Sequence, residues 1–524
     1  MRCSRSLLLR YPTRLPICPP PHIGTSVSFP YLLRRSALST EAQSPSNRPS
    51  KSSPRMSTSS APTGGYEAFG SFHTPSTAAL FASDDVVDVD VHLPPLPSTL
   101  ALAASSLLQP EASRSLFALD LETWTFVNHG AFGSPTRFAT ETAAAWRSLA
   151  DAQPLRFHDR ELFPLIVQAI KALAKFIGVS HPEQLVLLPN ATSGLHAVLA
   201  SVLAAEAEAL DQPTVLLFST RYGAVRKMLT AIQGDKTSNI HIHEEPLSLA
   251  ESYDDEKVLR RLKSAVDAVE ASGRRVALVV VDHITSNTAV TLPVQAIVQH
   301  CHTRGHRIPV LVDGAHALLN LPLNVEAVGA DYYVGNCHKW FCSPRGAAFL
   351  HIATDSGPSI EPRVVSHGFF DGMQSAFMWT GLQDYSPWLA LPQCLAFWQR
   401  LGVQETRKHM HSLAQNAAEL LYSTWEMPAH LERERAFPMH KRHAMRLVQL
   451  PTARRLCGDV IVDDKEPKAT STHAKRVQDA LHHLHHIEVP VKCVDGRLYV
   501  RLSAHIYNSL ADYERLALAV VQQD

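Results

Sequence analysis

Three features are missing from this sequence: a CxxC pair, a long uncharged apolar run and an excess of one charge sign. The eight cysteines are scattered along 524 residues, which excludes the dense disulfide framework of small secreted domains and favours reduced thiols. No run of about eighteen apolar residues is present, so we expect no membrane-spanning helix. The 49 basic and 49 acidic residues balance, so no net field attracts nucleic acid or a membrane surface. Small-molecule chemistry is therefore expected.

Residues 1–63 differ in composition from the rest of the chain. They carry six arginines before the first acidic residue, Glu41, amid many serines and prolines. This composition is typical of a targeting peptide that is removed after import. A disordered tail is one alternative, and an upstream extension of a chain that starts at Met56 is another. We accordingly expect a mitochondrial or a cytoplasmic location.

From about residue 110 onward, short apolar runs alternate with helical patterns, which is typical of βαβ units and a mostly parallel sheet. The predicted buried strands are Val215–Ser219, Val276–Asp282, Pro309–Asp313, Tyr332–Gly335 and Ala347–Ile352. A helical region, Leu395–Trp425, follows them. Further strands are predicted at Ala444–Leu450, Asp459–Val462, Ile487–Val494 and Leu498–Leu502.

We therefore predict an α/β fold with a large doubly wound domain, whose sheet is mixed but mostly parallel, and a small α+β domain at the C-terminus. The predicted parts are a disordered or targeting extension (1–63), an N-terminal segment that contributes to the small domain and the active-site entrance (64–136), the large domain (137–394) and the small domain (395–524). In open sheets of this kind, ligands bind beyond the carboxyl ends of the strands.

An acid and an amine follow two of the predicted strands. Asp313 ends one strand, and Lys339 comes shortly after the next. Neither residue type is stable at a buried sheet edge unless it is paired. A pyridoxal-phosphate (PLP) site needs this pair, because the amine forms an imine with the cofactor and the carboxylate keeps the pyridine nitrogen protonated. A structural ion pair is the alternative for these two residues alone.

A helix start follows another apolar run, Leu185–Leu188. The sequence Asn190-Ala191-Thr192-Ser193-Gly194 places hydroxyl groups and free N–H groups at the N-terminus of a predicted helix. Such a terminus can bind a phosphate group, although an ordinary helix cap has the same appearance. No GxGxxG or GxxxxGK[ST] pattern favours a nucleotide instead.

The segments VLVDGAHALLNL (310–321) and GADYYVGNCHKWFCSPRGAAFL (329–350) resemble the cofactor-binding region of class V aminotransferases, which are PLP enzymes of fold type I. The resemblance is to the subgroup that includes isopenicillin N epimerase-like enzymes and the C–S lyases of ergothioneine synthesis. Other segments match that subgroup in order: FVNHGAFGSPTR (126–137), LRFHDRE (155–161), YGAVRKML (222–229), DHITS (282–286), SHGFF (366–370), WTGLQDYSP (379–387) and RLSAHIYN (501–508). The resemblance extends from about Leu119 to the C-terminus.

The resemblance implies a role for each matching residue. Lys339 would be the Schiff-base lysine and the catalytic residue, Asp313 the partner of the pyridine nitrogen, and His316 a neighbour of the phenolic oxygen of PLP. Phosphate ligands would come from Ala191, Thr192, Ser193, Asn336 and His338. Tyr222 would stack on the cofactor ring, and Ser286 would contact a cofactor oxygen. The substrate would be bound by Arg501, through its carboxylate, and by Asn128 and His129.

The sequence departs from the family pattern in two places. Leu382 stands where many relatives have a threonine whose hydroxyl reaches the phosphate of the neighbouring subunit, so that hydroxyl contact is lost. Thr380 or the backbone near Gly381 could replace it. Cys493 lies in an apolar strand only eight residues before Arg501, which is a poor position for the mobile nucleophile of a cysteine desulfurase.

A histidine cluster invites a metal interpretation, because His482 and His486 share one helix face. No carboxylate or cysteine completes a ligand set, so we expect a solvated helix face and no metal.

The resemblance therefore implies a homodimeric PLP enzyme that acts on a small amino-acid substrate, as a C–S lyase or an epimerase. An aminotransferase is an alternative within the family. A non-catalytic protein that keeps the fold as a scaffold is an alternative outside catalysis.

Overall fold

The computed structural model describes residues 72–521, except 86–88, 102–108, 211, 235–238, 428–440, 452–454, 457–459 and 462–468. All of the described residues belong to one compact unit, residues 64–524. The predicted targeting extension, residues 1–63, lies outside the described residues. Within them, no helix has both the length and the apolar character needed to cross a membrane.

Fourteen strands are present among the described residues. They are β1 (Thr125–Phe126), β2 (Leu185–Leu188), β3 (Thr214–Phe218), β4 (His241–Glu245), β5 (Val276–Asp282), β6 (Val310–Asp313), β7 (Tyr332–Asn336), β8 (Ala348–Ile352), β9 (Met445–Gln449), β10 (Arg455–Leu456), β11 (Val460–Ile461), β12 (Ile487–Glu488), β13 (Val491–Val494) and β14 (Arg497–Ser503).

Seven of these strands form the central sheet, in the order β2-β8-β7-β6-β5-β3-β4. Strand β8 is antiparallel to both of its neighbours, and the other pairs are parallel. Every residue of β5, β6 and β7 is buried, which explains their continuous apolar sequences. The predicted α/β fold with a mixed, mostly parallel sheet is confirmed.

Helices pack against this sheet and also occur elsewhere in the described chain. They are Thr77–Ala82, Pro110–Arg114, His129–Phe132, Arg137–Ala152, Pro154–Arg156, Leu162–Phe176, Ala191–Ala209, Gly223–Gln233, Leu249–Ser252, Asp255–Ala271, Val294–His302, Val325–Val328, Met373–Met378, Ser386–Leu389, Leu391–Leu401, Val403–Thr424, Ser471–His485 and Leu510–Val521. A π-helical turn, Phe157–Glu161, and 3-10 turns at Ser98–Ala101 and Pro182–Gln184 complete the set.

A smaller antiparallel sheet, in the order β13-β14-β9, lies in the C-terminal part of the chain. One face of it, including Val491, Val500 and Leu502, belongs to a second apolar core with the helices Val403–Thr424 and Leu510–Val521. Separate two-stranded sheets join β1 to β12 in parallel and β10 to β11 in antiparallel orientation. The division of the chain at 136/137 and 394/395 stays a prediction.

Two predicted elements are interrupted in the structure. The helical region after residue 395 divides at Gly402, whose φ of +94° is accessible mainly to glycine. The predicted strand at 487–494 divides into β12 and β13 around Pro490, because proline has no N–H for a strand ladder.

Candidate active site

Lys339 lies three residues after β7, at the carboxyl end of the central sheet. Its amine is 3.3 Å from Nε2 of His316. The side chain is half-buried, and desolvation lowers its pKa to about 8, although the nearby Asp313 opposes the shift. A substantial fraction of this amine is therefore neutral near physiological pH, which a nucleophile or a base requires.

His316 supports the neutral state of that amine. The indole N–H of Trp340 donates to Nδ1 of His316 at 3.4 Å, and burial holds the pKa of this histidine well below its usual range. A neutral imidazole that accepts at Nδ1 carries its own proton on Nε2. The amine of Lys339 can accept that N–H only in its neutral form, so this contact favours the neutral amine.

Two buried carboxyl groups end neighbouring strands beside this lysine. Asp282 and Asp313 are the last residues of β5 and β6 and are paired in register, and each side chain is 5% exposed. The N–H of Ala315 donates to Oδ1 of Asp313 at 3.0 Å. Burial raises the pKa of Asp313, and burial together with the Asp313 charge raises the pKa of Asp282. The sequence prediction included Asp313 but missed Asp282, although both acids end a buried strand.

The N-terminus of the helix Ala191–Ala209 lies at the same edge of the sheet. The N–H of Ala191 donates to Oδ1 of Asn336, the last residue of β7, at 3.0 Å. Ser193 donates its N–H and its hydroxyl to Oδ1 of Asn190, at 2.9 and 3.1 Å. Thr192 is exposed. The predicted phosphate contacts of these residues stay predictions, and a phosphate bound at this helix terminus would replace the side-chain acceptors of the Ala191 and Ser193 N–H groups.

His338 precedes the lysine, and its ring lies near a protein carbonyl. Its Nδ1 is 3.1 Å from the carbonyl oxygen of Ala347. Burial lowers the pKa of His338 to about 4, so the ring is neutral and its Nε2 faces away from that bond. Its predicted phosphate contact stays a prediction.

Arg501 reaches the site from β14 of the small sheet. It is 3% exposed, and one of its terminal nitrogens donates to the carbonyl oxygen of Ser286. Its Nε is buried and has no hydrogen-bond partner among the described residues. Burial lowers the pKa of Arg501 to about 10, and its charge also contributes to the lowered pKa of Lys339. Arg501 therefore lies near enough to Lys339 to influence its charge, and its predicted contact with the substrate carboxylate stays a prediction.

Two predicted site residues, Tyr222 and Asn128, are exposed or carry an unpaired polar atom within the described chain. Tyr222 is 40% exposed and directly precedes the helix Gly223–Gln233. Its backbone lies close enough to Asp282 to lower the pKa of that acid. Oδ1 of Asn128 is buried and has no partner among the described residues. Both observations leave the predicted contacts of these residues open as predictions.

A histidine pair behind the lysine holds its backbone. Nε2 of His129 is 3.1 Å from the carbonyl oxygen of Lys339, and Nε2 of His505 is 3.2 Å from that of Trp340. The two rings stack with centroids 4.1 Å apart, and Nδ1 of His129 is 2.9 Å from the hydroxyl of Tyr507. Because both ring nitrogens of His129 contact protein groups, these bonds support a positioning role; its predicted contact with substrate stays a prediction.

Cys342 completes this cluster, with its sulfur 3.6 Å from Nε2 of His129 and 3.4 Å from Nε2 of His505. The three side chains are close enough to one another to hold a metal ion. Backbone carbonyls already lie within hydrogen-bond distance of both ring nitrogens, however, and the sulfur is 3.4 Å from the carbonyl oxygen of Trp340. Sequence reasoning missed His505 and Cys342, because their partners are more than 160 residues away in the chain.

Gly133 lets the 126–137 segment approach the lysine. Its φ is +63°, and a Cβ at this position would lie 2.0 Å from the carbonyl oxygen of His338 and 2.8 Å from Cα of Lys339. Only glycine fits both the conformation and the space.

These groups fit PLP. The cofactor needs an amine for its aldehyde, an acid for its pyridine nitrogen and N–H donors for its phosphate, which Lys339, Asp313 and the helix terminus at Ala191 would supply. When bound, PLP delocalises the electrons of a bond that breaks at the substrate Cα.

The comparison with protein families agrees with this fit. The model of the family "Aminotransferase class-V" matches residues 159–436. The chain belongs to the class V aminotransferase family. As a class V aminotransferase-family protein it is a PLP-dependent enzyme, as predicted.

Several class V relatives share much of the chain. The putative L-cysteine desulfhydrase 1 of Oryza sativa subsp. japonica is 29% identical over 416 residues, which cover 75% of this chain and 82% of the relative. The isopenicillin N epimerase of Amycolatopsis lactamdurans is 30% identical over 418 residues, which cover 76% of this chain and 94% of the relative. The chain is thus similar to proteins named for two different reactions.

Solved structures of other proteins share the fold. The complex of the cystine C-S lyase C-DES with cysteine persulfide superposes with a TM-score of 0.54 at 19% identity, over 76% of this chain and 97% of that one. A NifS-like protein superposes with a TM-score of 0.55 at 16% identity, over 75% and 97%.

Proposed function

We propose that this enzyme cleaves the C–S bond of a cysteine-derived amino acid by β-elimination. The observation that carries the proposal is the amine of Lys339, whose pKa is lowered to about 8. His316 lies beside this amine, and Asp313 and the buried guanidinium of Arg501 influence its charge. The similarity to L-cysteine desulfhydrases supports sulfur-containing substrates.

Each of these residues has a proposed task. Arg501 binds the substrate carboxylate, because its planar guanidinium can bond both oxygens and its Nε has no partner among the described residues. Lys339 takes the proton from Cα, because part of its amine is neutral at pH 7 to 8. Asp313 would hold the pyridine nitrogen of the cofactor, and Asp282, whose raised pKa favours its neutral form, ends the neighbouring strand beside it.

The cysteines support elimination without a thiol nucleophile on the enzyme. The sulfur of Cys493 is 3.1 Å from the carbonyl oxygen of Ala469, and burial raises the pKa of this thiol. Burial also raises the pKa of Cys337 and Cys342 above the usual range of a thiol. Cys457 lies outside the described residues. We therefore propose that sulfur leaves with the substrate fragment.

Epimerisation is the second candidate, and Tyr222 is the observation that favours it. An epimerase must return a proton to the face of Cα opposite the one that lost it, whereas elimination needs only one base at Cα. The exposed phenol of Tyr222 is the candidate for that second group. Replacing Tyr222 with phenylalanine would abolish epimerisation but leave elimination largely intact.

The test is incubation of purified, PLP-loaded enzyme with cysteine, cystine and cysteine thioethers and sulfoxides. We expect pyruvate and ammonia in equal amounts, with the sulfur fragment released. Lys339→Ala should lose at least about 10³-fold in turnover, a loss typical of a nucleophile and base, while Lys475→Ala, at an exposed helix position, should not. Exchange of the α-hydrogen for deuterium without pyruvate release would refute the lyase proposal and indicate an epimerase. Keto acid with an aminated cofactor would replace it by an aminotransferase.

We also propose a homodimer. Large apolar side chains are exposed within residues 364–382: Phe370 is 94% exposed, Leu382 71% and Val365 62%. Such a concentration of exposed apolar side chains is typical of a protein interface. Light scattering should give twice the chain mass, and Phe370→Asp should shift it toward the monomer.

For the location, we propose that residues 1–63 direct import into an organelle, on the strength of their arginine-rich composition. Fusion of residues 1–63 to a fluorescent protein tests it. Uniform cytoplasmic fluorescence would refute it.

A further inference from the structure

The face of the small sheet that carries Arg501 also carries a second cation, Lys492. Lys492 on β13 is paired in register with Tyr499 on β14, and Arg501 is two residues beyond Tyr499. Residues that are opposite, or two apart along one strand, point to the same face. Diagonal neighbours of this kind are about 7–8 Å apart, within reach of long side chains. Lys492 and Arg501 are therefore adjacent side chains on one face.

This face lies toward the lysine site. Residues on it, such as Tyr499, Leu447 and Met445, belong to the apolar core of the central sheet, whereas the alternate residues belong to the second core. Met445 also lies near the segment of Lys339, because a Cβ on Gly130 would be 2.6 Å from its sulfur and 3.2 Å from Cζ2 of Trp340. Lys492 thus lies on the face of the small sheet that packs toward the large sheet, as Arg501 does.

Among the residues that the structure describes, the charge of Lys492 has no acidic counterpart. The side chain is half-buried, and burial and the charge of Arg501 both lower its pKa. Within the described part of the chain, no carboxylate forms an ion pair with Lys492 or Arg501. Lys441 is a useful contrast, because this buried lysine has Asp255 at 2.6 Å. Partly buried cations without a counter-ion are costly, so two adjacent ones favour anionic ligands.

We propose that Lys492 is a second anion-recognition residue, and that the substrate carries an acidic group on the sulfur side in addition to its α-carboxylate. The inference rests on the proposed function, in which Arg501 binds the α-carboxylate. The α-carboxylate pairs with Arg501, so a second anionic group of the substrate is needed to pair with Lys492. The substrate class is a cysteine thioether whose S-substituent ends in a carboxylate.

A pair of nearly isosteric probes tests this directly. S-carboxymethyl-L-cysteine carries the second carboxylate, and S-carbamoylmethyl-L-cysteine replaces it by a neutral amide of the same size. The wild-type enzyme should favour the acid by at least about tenfold in kcat/KM, as one charge-assisted contact provides. Added salt should reduce this preference.

Lys492→Gln should remove the preference by lowering kcat/KM for the acid about tenfold, with less than about a twofold change for the amide. Lys492→Arg should retain most of it. Lys475→Gln, at an exposed position outside the site, is the matched control. Equal kcat/KM values for acid and amide in the wild type, or an equal loss for both in Lys492→Gln, would overturn the proposal.

Binding separates this inference from the proposed reaction. Calorimetric dissociation constants for both probes can be measured with PLP present in a Lys339→Ala background, where turnover is blocked. Tighter binding of the acid that depends on Lys492 supports the second anion site, even if the wild type releases no pyruvate and the lyase proposal fails. If the wild type releases pyruvate but binds the acid and the amide equally tightly, the lyase proposal stands and the role of Lys492 is refuted.

Discussion

Replacing Lys339 with methionine should stabilise the cofactor-free protein near neutral pH. Methionine keeps a long unbranched chain but removes the ammonium group that the site desolvates. The pKa of Lys339 falls from 10.5 to about 8 in the folded protein. Each tenfold change in a protonation equilibrium corresponds to about 1.4 kcal/mol, so the folded state carries a penalty of about 3 kcal/mol for this proton. Partial exposure of the side chain reduces the expected gain to about 2 kcal/mol.

The pH dependence identifies the cause. Well below pH 8 the lysine is mostly protonated in both the folded and the unfolded protein, so the full penalty applies there. Between pH 8 and 10.5 the folded protein has released a proton that the unfolded protein still holds. The wild type therefore gains stability relative to Lys339→Met as the pH rises through this window. The advantage of the variant should largely disappear near pH 10.

Urea denaturation of the cofactor-free proteins, followed by tryptophan fluorescence at pH 7.5, 9 and 10, measures the free energy of unfolding of each form. Lys475→Met is the control, and it should give no pH-dependent difference because its side chain is exposed. A constant difference between Lys339→Met and the wild type at all three pH values would refute the explanation, and so would a destabilised variant at pH 7.5.

Three further changes have defined outcomes. Arg501→Lys should raise KM about 10- to 100-fold with a smaller effect on kcat, because an ammonium group cannot bond both carboxylate oxygens as a guanidinium does. Steady-state kinetics measure both constants, and an unchanged KM would exclude the carboxylate role. Gly133→Ala should lower the free energy of unfolding by about 1–3 kcal/mol, because its φ is +63° and the new Cβ would lie 2.0 Å from the His338 carbonyl oxygen. Equal free energies of unfolding for the variant and the wild type in urea would contradict this. His505→Phe should cost about 1–3 kcal/mol by removing the imidazole donor of the Trp340 carbonyl, and should shift the pH midpoint of the visible band of bound PLP. His505→Gln, which keeps a donor, should restore both, and an unmoved midpoint in His505→Phe would limit this residue to a structural role.

Local patterns in the sequence predicted the central sheet well. β5 and β6 are continuous apolar runs because helices and neighbouring strands bury both of their faces, and each ends in an acid at the edge where ligands bind. The same pattern marked Asp313 and could have marked Asp282. Gly402 and Pro490 were visible as well, but whether a glycine or proline interrupts an element depends on the packing around it.

The histidine pair and Lys492 were beyond such patterns. His129 and His505 come from opposite ends of the described chain, and only the folded arrangement places both behind one lysine. Lys492 became notable through its register with Tyr499 and through the lack of an acidic partner among the described residues, neither of which a linear sequence reveals. The resemblance to class V aminotransferases supplied what spacing alone could not, namely the proposed roles of Tyr222 and Arg501.

The bond between His505 and the Trp340 carbonyl has a consequence for biosynthesis. The two residues are 165 positions apart. A ribosome that adds about 5–20 residues per second needs roughly 10–30 s to pass from one to the other. Throughout that interval the nascent chain contains the cofactor lysine but not the imidazole that holds the adjoining carbonyl. A complete cofactor site therefore forms only after most of the C-terminal part has been synthesised, and a product truncated before residue 505 would keep the lysine but lack this support.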